Sequence, residues 1–187
     1  PIEEIDNNRL NLGNSDAEFS LETDKAYDVF SYWRLSSNSS GGATVYYSGN
    51  TLTNTVGDQI DEIGETKKES HPGTEQFGLA VIDAGKDTLD GGTFPSNHIT
   101  PNIAPLVTRE NYNEGGAQND NNISNSSGNA KFAFQSSSSQ TPVIIAQNSN
   151  TVISCATAKM RYVANIAADT PAGIYTTKIN YLAAPQY

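Results

Sequence analysis

Ala158 to Tyr187 reads AKMRYVANIAADTPAGIYTTKINYLAAPQY. Its periodicity points to an all-β chain. Met160, Tyr162, Ala164 and Ile166 alternate with Lys159, Arg161, Val163 and Asn165. After Thr170-Pro171-Ala172-Gly173, Tyr175, Thr177, Ile179 and Tyr181 alternate with Ile174, Thr176, Lys178 and Asn180. A period of two in runs rich in β-branched and aromatic residues predicts half-buried antiparallel strands. Proline fixes one turn dihedral and glycine permits the next, so the spacing predicts a closing hairpin.

The same pattern recurs upstream. Ala26–Leu35 (AYDVFSYWRL) is apolar on both faces and predicts a central strand, with Trp33 as a core anchor. Gln76–Ile82 (QFGLAVI) predicts a buried strand. Ala43–Tyr47, Gln59–Ile63, Ile103–Thr108, Lys131–Gln135, Thr141–Ala146 and Thr151–Ala156 complete a count of about ten. Gly64–Gly73, with Lys67 and Lys68, reads as a charged loop. Residues 83–130, rich in Asn, Ser, Gly and Pro, read as long polar surface excursions. The expected fold is therefore an antiparallel β-sandwich, Ig-like or jelly-roll-like, with long polar loops. It would occupy residues 24–187, and residues 1–23 would form an extended N-terminal segment.

Composition narrows the function classes. Net charge is −10. Clustered Lys and Arg are what phosphate binding needs, so a nucleic-acid partner is not expected, nor is attraction to an anionic membrane. Residues 1–90 hold 17 acids and 6 bases (−11), whereas residues 91–187 hold 4 acids and 5 bases (+1). That asymmetry reads either as a solvated acidic face or as one side of a subunit contact. No apolar run approaches the ~20 residues of a membrane helix. The single cysteine, Cys155, lies in an apolar run and reads as a buried small hydrophobe. A chain that opens at Pro1 reads as a processed or truncated product.

No constellation reads as an active site. Two histidines, His71 and His98, and one cysteine leave little for a triad or a zinc centre. No nucleophile elbow, P-loop or zincin pattern occurs, and no cofactor is expected. Asp83, Asp87 and Asp90 in DAGKDTLDGG supply oxygen ligands and a glycine turn, the ingredients of a calcium loop, but not the EF-hand spacing. Asp58, Asp61, Glu62 and Glu65 form a second acidic cluster. Three Asn-x-Ser triplets, at Asn38, Asn122 and Asn125, match the glycosylation pattern, as an Asn/Ser-rich chain does by chance.

Two segments together carry a resemblance. Gly73-Thr74-Glu75-Gln76-Phe77-Gly78-Leu79 opens a buried strand, and Tyr162–Tyr187 closes the chain. The pair resembles an uncharacterised group of bacterial secreted or surface β-sandwich proteins that end in a T-P-A-G-x-Y-T hairpin. More distantly it is similar to spore-coat-U-type pilin domains, TasA-like fibre subunits and WxL-like surface domains. The resemblance implies a non-enzymatic structural subunit, extracellular or on the cell surface, whose partners are copies of itself. Strand complementation between such copies needs an extended donor. Residues 1–23 are the candidate, with Ile2, Ile5, Leu10 and Leu12 as interface residues. The other reading is a carbohydrate- or surface-binding adhesin, with glycans as partners and Tyr112 as an exposed contact ring.

Overall fold

The computed structural model describes residues 2–4, 9–13, 17–82, 102–114 and 130–187. In chain order the strands are β1 (Ile2–Glu4), β2 (Tyr27–Ser37), β3 (Gly42–Ser48), β4 (Gly64–Glu69) and β5 (Gln76–Ile82). They continue as β6 (Val107–Thr108), β7 (Lys131–Phe134), β8 (Val143–Ser149), β9 (Ile153–Asn165) and β10 (Asn180–Pro185). One 3-10 turn, Glu110–Tyr112, follows β6. The strands form two antiparallel sheets packed on one another. The larger sheet has the order β1-β2-β9-β5-β7-β4, and the smaller the order β10-β3-β8-β6. The expected all-β sandwich is the observed fold.

Burial explains which strands are central. Every residue of β5 is buried, as a strand covered on both faces requires. β9 is longer and is covered in the same way from Ala156 to Asn165. The pattern of a half-buried strand is therefore wrong for β9, because Lys159 and Arg161 do not reach solvent (4% and 3% exposed). Their charge is accommodated locally. The Arg161 guanidinium binds Glu114 at 2.5 Å and Asp28 at 2.8 Å, and Lys159 Nζ lies 4.1 Å from the centre of the Phe30 ring. The strand stays apolar by shape while holding cations that a pattern of side-chain types assigns to water. Trp33 and Leu35 of β2 are buried at 2%. In the core Phe134 meets Phe77 edge to face and stacks on Tyr47, with ring centroids 4.8 and 5.5 Å apart.

The closing hairpin does not form. Its first arm is β9 of the larger sheet, and its second arm is β10, which pairs with β3 of the smaller one. Residues 166–179 carry the chain across. The reversal begins at Thr170, whose hydroxyl accepts the Ala167 N–H and donates to the Glu75 carboxylate. Thr176 then exchanges two backbone bonds with Thr53, each 3.0 Å. The alternation in the second arm is genuine: Tyr175, Thr177, Ile179 and Tyr181 are half-buried and Ile174, Thr176, Lys178 and Asn180 exposed. Period two reports that one face is covered, not which strand lies alongside.

Three further expectations change. Gly64–Glu69 is a strand rather than a loop, paired with β7 at the rim of the larger sheet. Gln59–Ile63 makes only isolated bridges, Gln59 to Thr53 and Glu62 to Phe77. Thr151–Ala156 is not a separate strand; its second half opens β9.

Candidate interaction surface

A sheet that does not close has edges, and an unpaired edge offers backbone groups to any extended chain. Among the described residues the edge strands are β1 and β4 of the larger sheet and β10 and β6 of the smaller. They are not alike. β4 (GETKKE) carries four charged residues in six, and Lys67 forms a 2.6 Å ion pair with Glu110. β1 (IEE) has three residues and two charges, and β6 has two residues. β10 (NYLAAP) has six residues and no charge. Charge and shortness are the usual defences of an edge, and β10 has neither.

The register tells which residues of β10 bond to β3. Asn180 faces Ser48 and Pro185 faces Ala43. Gln186 N–H bonds to Gly42 at 2.9 Å. Antiparallel ladders bond at every second residue, so Asn180, Leu182 and Ala184 bond to β3 while Tyr181, Ala183 and Pro185 turn their backbone groups outward. Proline has no N–H to offer, so Pro185 sits where an edge tolerates it. That leaves the Ala183 N–H and the carbonyls of Ala183 and Pro185 along an edge that no described strand covers.

An apolar cleft of about 570 Å³ adjoins the end of this edge. Leu35, Ile153 and Ala43, each at most 2% exposed, contribute its deepest residues. Ala183, Pro185, Val152 and Tyr187 also line it, the last two well exposed. Ser36, Ser37, Asn38 and Ser154 supply hydroxyl and amide groups. The chain end is fixed beside it because Gly41 has no side chain: a Cβ there would stand 2.3 Å from the Gln186 carbonyl oxygen. The Ser39 hydroxyl donates to that same carbonyl. None of the lining residues is charged or a histidine. The cleft therefore offers shape and backbone, not acid–base or metal chemistry.

The sequence-predicted residues fall as follows. Ile2 lies in β1 opposite Leu35, one of the cleft residues, and pairs with β2 of its own chain. Leu10 and Leu12 are half-buried against the core. Ile5 lies outside the described residues, as do Asp83, Asp87, Asp90, His98, Asn122 and Asn125. The second acidic cluster is spread over separate partners. Asp58 accepts from the Asn54 amide at 2.8 Å, Glu62 accepts the Ser136 N–H at 3.0 Å, and the Asp61 backbone carbonyl accepts Phe77 N–H at 2.8 Å. Among the described residues no three His, Cys, Asp or Glu side chains converge as metal ligands. Tyr112 is not an exposed ring: it is 4% exposed and its hydroxyl lies 3.2 Å from that of Tyr47. Cys155 is exposed rather than buried.

The buried polar groups hold elements together. Arg161 ties β9 to Asp28 on β2 and to Glu114 beyond the 3-10 turn. Burial opposes its charge, but the two carboxylates outweigh burial and hold its pKa above the ordinary value. Tyr47 is shifted well upward by burial, then by its bond with Tyr112. Neither sits in an open cleft where a shifted group would act on a ligand. The edge of β10 is legible in part, since residues 179–187 contain no charge, but the turn sequence before it points to a hairpin partner rather than to an edge. Comparison of the chain with protein-family models, with curated proteins and with solved structures finds no match.

Proposed function

We propose that this protein is a structural subunit of an extracellular bacterial filament, pilus or surface layer, and that neighbouring copies join by β-strand complementation. The observation that carries this reading is β10, a six-residue uncharged edge strand beside an apolar cleft, in a fold whose other long edge is charged. An extended segment added along β10 would gain main-chain bonds to Ala183 and Pro185 and apolar contact with the cleft. The donor is the N-terminal segment of a second copy, carrying Ile2, Ile5, Leu10 and Leu12. In one chain β1 holds β2 by a three-residue ladder, and donation also takes Leu10 and Leu12 from their half-buried places on the core. A donor and an acceptor on different surfaces make a head-to-tail contact, which propagates into a fibre. The proposal assigns no catalytic step and no cofactor.

The test removes one backbone donor from the free edge. Ala183→Pro deletes an outward N–H without touching the β3 ladder. Purified full chain is followed by light scattering and electron microscopy. Assembly of the parent chain and its loss in Ala183→Pro, at unchanged circular dichroism, is the expected result. Fibres that grow equally well from the variant would refute strand addition at β10.

A further inference from the structure

The segment proposed as the donor already has a seat in its own chain. β1 runs antiparallel to the end of β2, with Ile2 opposite Leu35, Glu3 opposite Arg34 and Glu4 opposite Trp33. Leu35 serves two places. It meets the β1 ladder, and it lines the cleft beside β10 with Ala43, Ala183 and Pro185. Leu10 and Leu12 pack against the same core. By its backbone the seat is a weak one. β1 shares three residue pairs with β2, whereas β9 shares ten with it on the other side. A short ladder at the rim of a sheet opens at lower free energy than the strands within. The register also sets Glu3 against Arg34, residues of opposite charge. Unlike charges directly opposed strengthen a ladder that like charges weaken.

We propose that β1 is an autoinhibitory cap: while it pairs with β2 of its own chain the donor is withheld and the copy stays single, and release of β1 frees the segment for a neighbour. The inference rests on strand addition at β10 and adds the step that controls it. One segment cannot lie on β2 of its own chain and along β10 of another, so the two seats compete for it. A copy is a donor only for the fraction of time that β1 is released, and whatever changes that fraction changes the rate of joining in proportion. The strength of the cis ladder, set in part by Glu3 and Arg34, then governs when assembly starts.

The experiment alters this pair in the full chain, with Cys155 replaced by serine throughout. Arg34, exposed on β2, is changed in Arg34→Glu, and its partner in Glu3→Arg. Each sets like charges opposite one another and should speed assembly, followed by light scattering, about 2–5-fold. The first makes the chain more acidic and the second less, so an effect they share cannot come from overall charge. Both changes together restore unlike charges and should restore the parent rate. Glu3→Cys with Arg34→Cys closes the cap covalently, since opposed Cα atoms of an antiparallel pair stand about 4.5–5.5 Å apart, within the span of a disulfide. The oxidised chain should stay single and assemble after reduction. Hydrogen exchange of the single copies, read by mass spectrometry, should show residues 2–4 losing protection in each charge variant and regaining it in the double. An oxidised chain that assembles as fast as the reduced one overturns the cap. So do charge variants that act in opposite directions or not at all. Fibres lost in Ala183→Pro but kept in the oxidised chain would leave strand addition at β10 standing and remove the cap. The converse would keep the cap and move the acceptor away from β10. A parent chain that never assembles removes both and leaves β1 as the first strand of its own sheet.

Discussion

Replacing Arg161 with methionine removes the cation that β9 holds between Asp28 and Glu114. Methionine keeps the aliphatic stem and much of the volume, so packing changes little. Asp28, 25% exposed at its side chain, can recover water; Glu114, 6% exposed, cannot. Breaking a buried pair by removing one partner costs about 3–5 kcal/mol, mostly the desolvated charge left behind. For a domain of this size each kcal/mol lowers the melting temperature by about 2–4 °C, which gives a fall of about 6–20 °C. Glu114→Gln in the same background should restore part of the loss, because a neutral amide no longer needs the cation. The assay is urea and thermal denaturation of both single variants and the double variant, followed by circular dichroism. An Arg161→Met loss below about 1 kcal/mol, or strictly additive effects in the double variant, would refute the argument that this ion group holds β2, β9 and the segment after the 3-10 turn together.

Two other predictions follow from buried polar groups. The Asn54 side chain, 7% exposed, accepts the N–H groups of Val56, Gly57 and Asp58 at 3.0, 2.9 and 2.9 Å. Asn54→Ala should cost about 2–4 kcal/mol in urea denaturation, at about 1 kcal/mol per lost bond plus desolvation; a cost within error of zero would show that the turn holds itself. Burial raises the pKa of both Tyr47 and Tyr112. A raised pKa means the folded state retains these protons, so this contribution is complete below the unfolded value of about 10 and fades as pH climbs above it. Alkaline titration by tyrosinate absorbance should show a late phase that shrinks in Tyr47→Phe and in Tyr112→Phe; all nine tyrosines titrating together in the folded state would contradict it.

What could be read from the sequence is what depends on local chemistry. The buried run Gln76–Ile82, the two-faced strand around Trp33 and the alternation of residues 174–181 all show in side-chain type, because covering a strand imposes a period. Pairing does not show there. β9 and β10 are consecutive, alternating and separated by a proper turn sequence, yet each finds its partner in a different sheet, and only the packing of the whole sandwich decides that. Gly64–Glu69 looked like a loop because a rim strand need bury neither face and may be all charge. Lys159 and Arg161 looked solvent-facing because their partners, Phe30, Asp28 and Glu114, are distant in the chain. The apolar neighbours of Cys155 suggest burial and the polar neighbours of Tyr112 suggest exposure, yet the fold reverses both. Residues 35–57, 132–158 and 179–187 carry no charge, but only the topology sets β3, β8 and β10, which lie within those runs, side by side in the smaller sheet.

The most direct test of the central claim is a density map of the native assembly at side-chain resolution. The account requires an extended segment of one copy, containing Leu10 and Leu12, hydrogen-bonded along Tyr181–Pro185 of the next. A map in which that edge faces solvent and residues 2–4 stay on β2 of their own chain would contradict it.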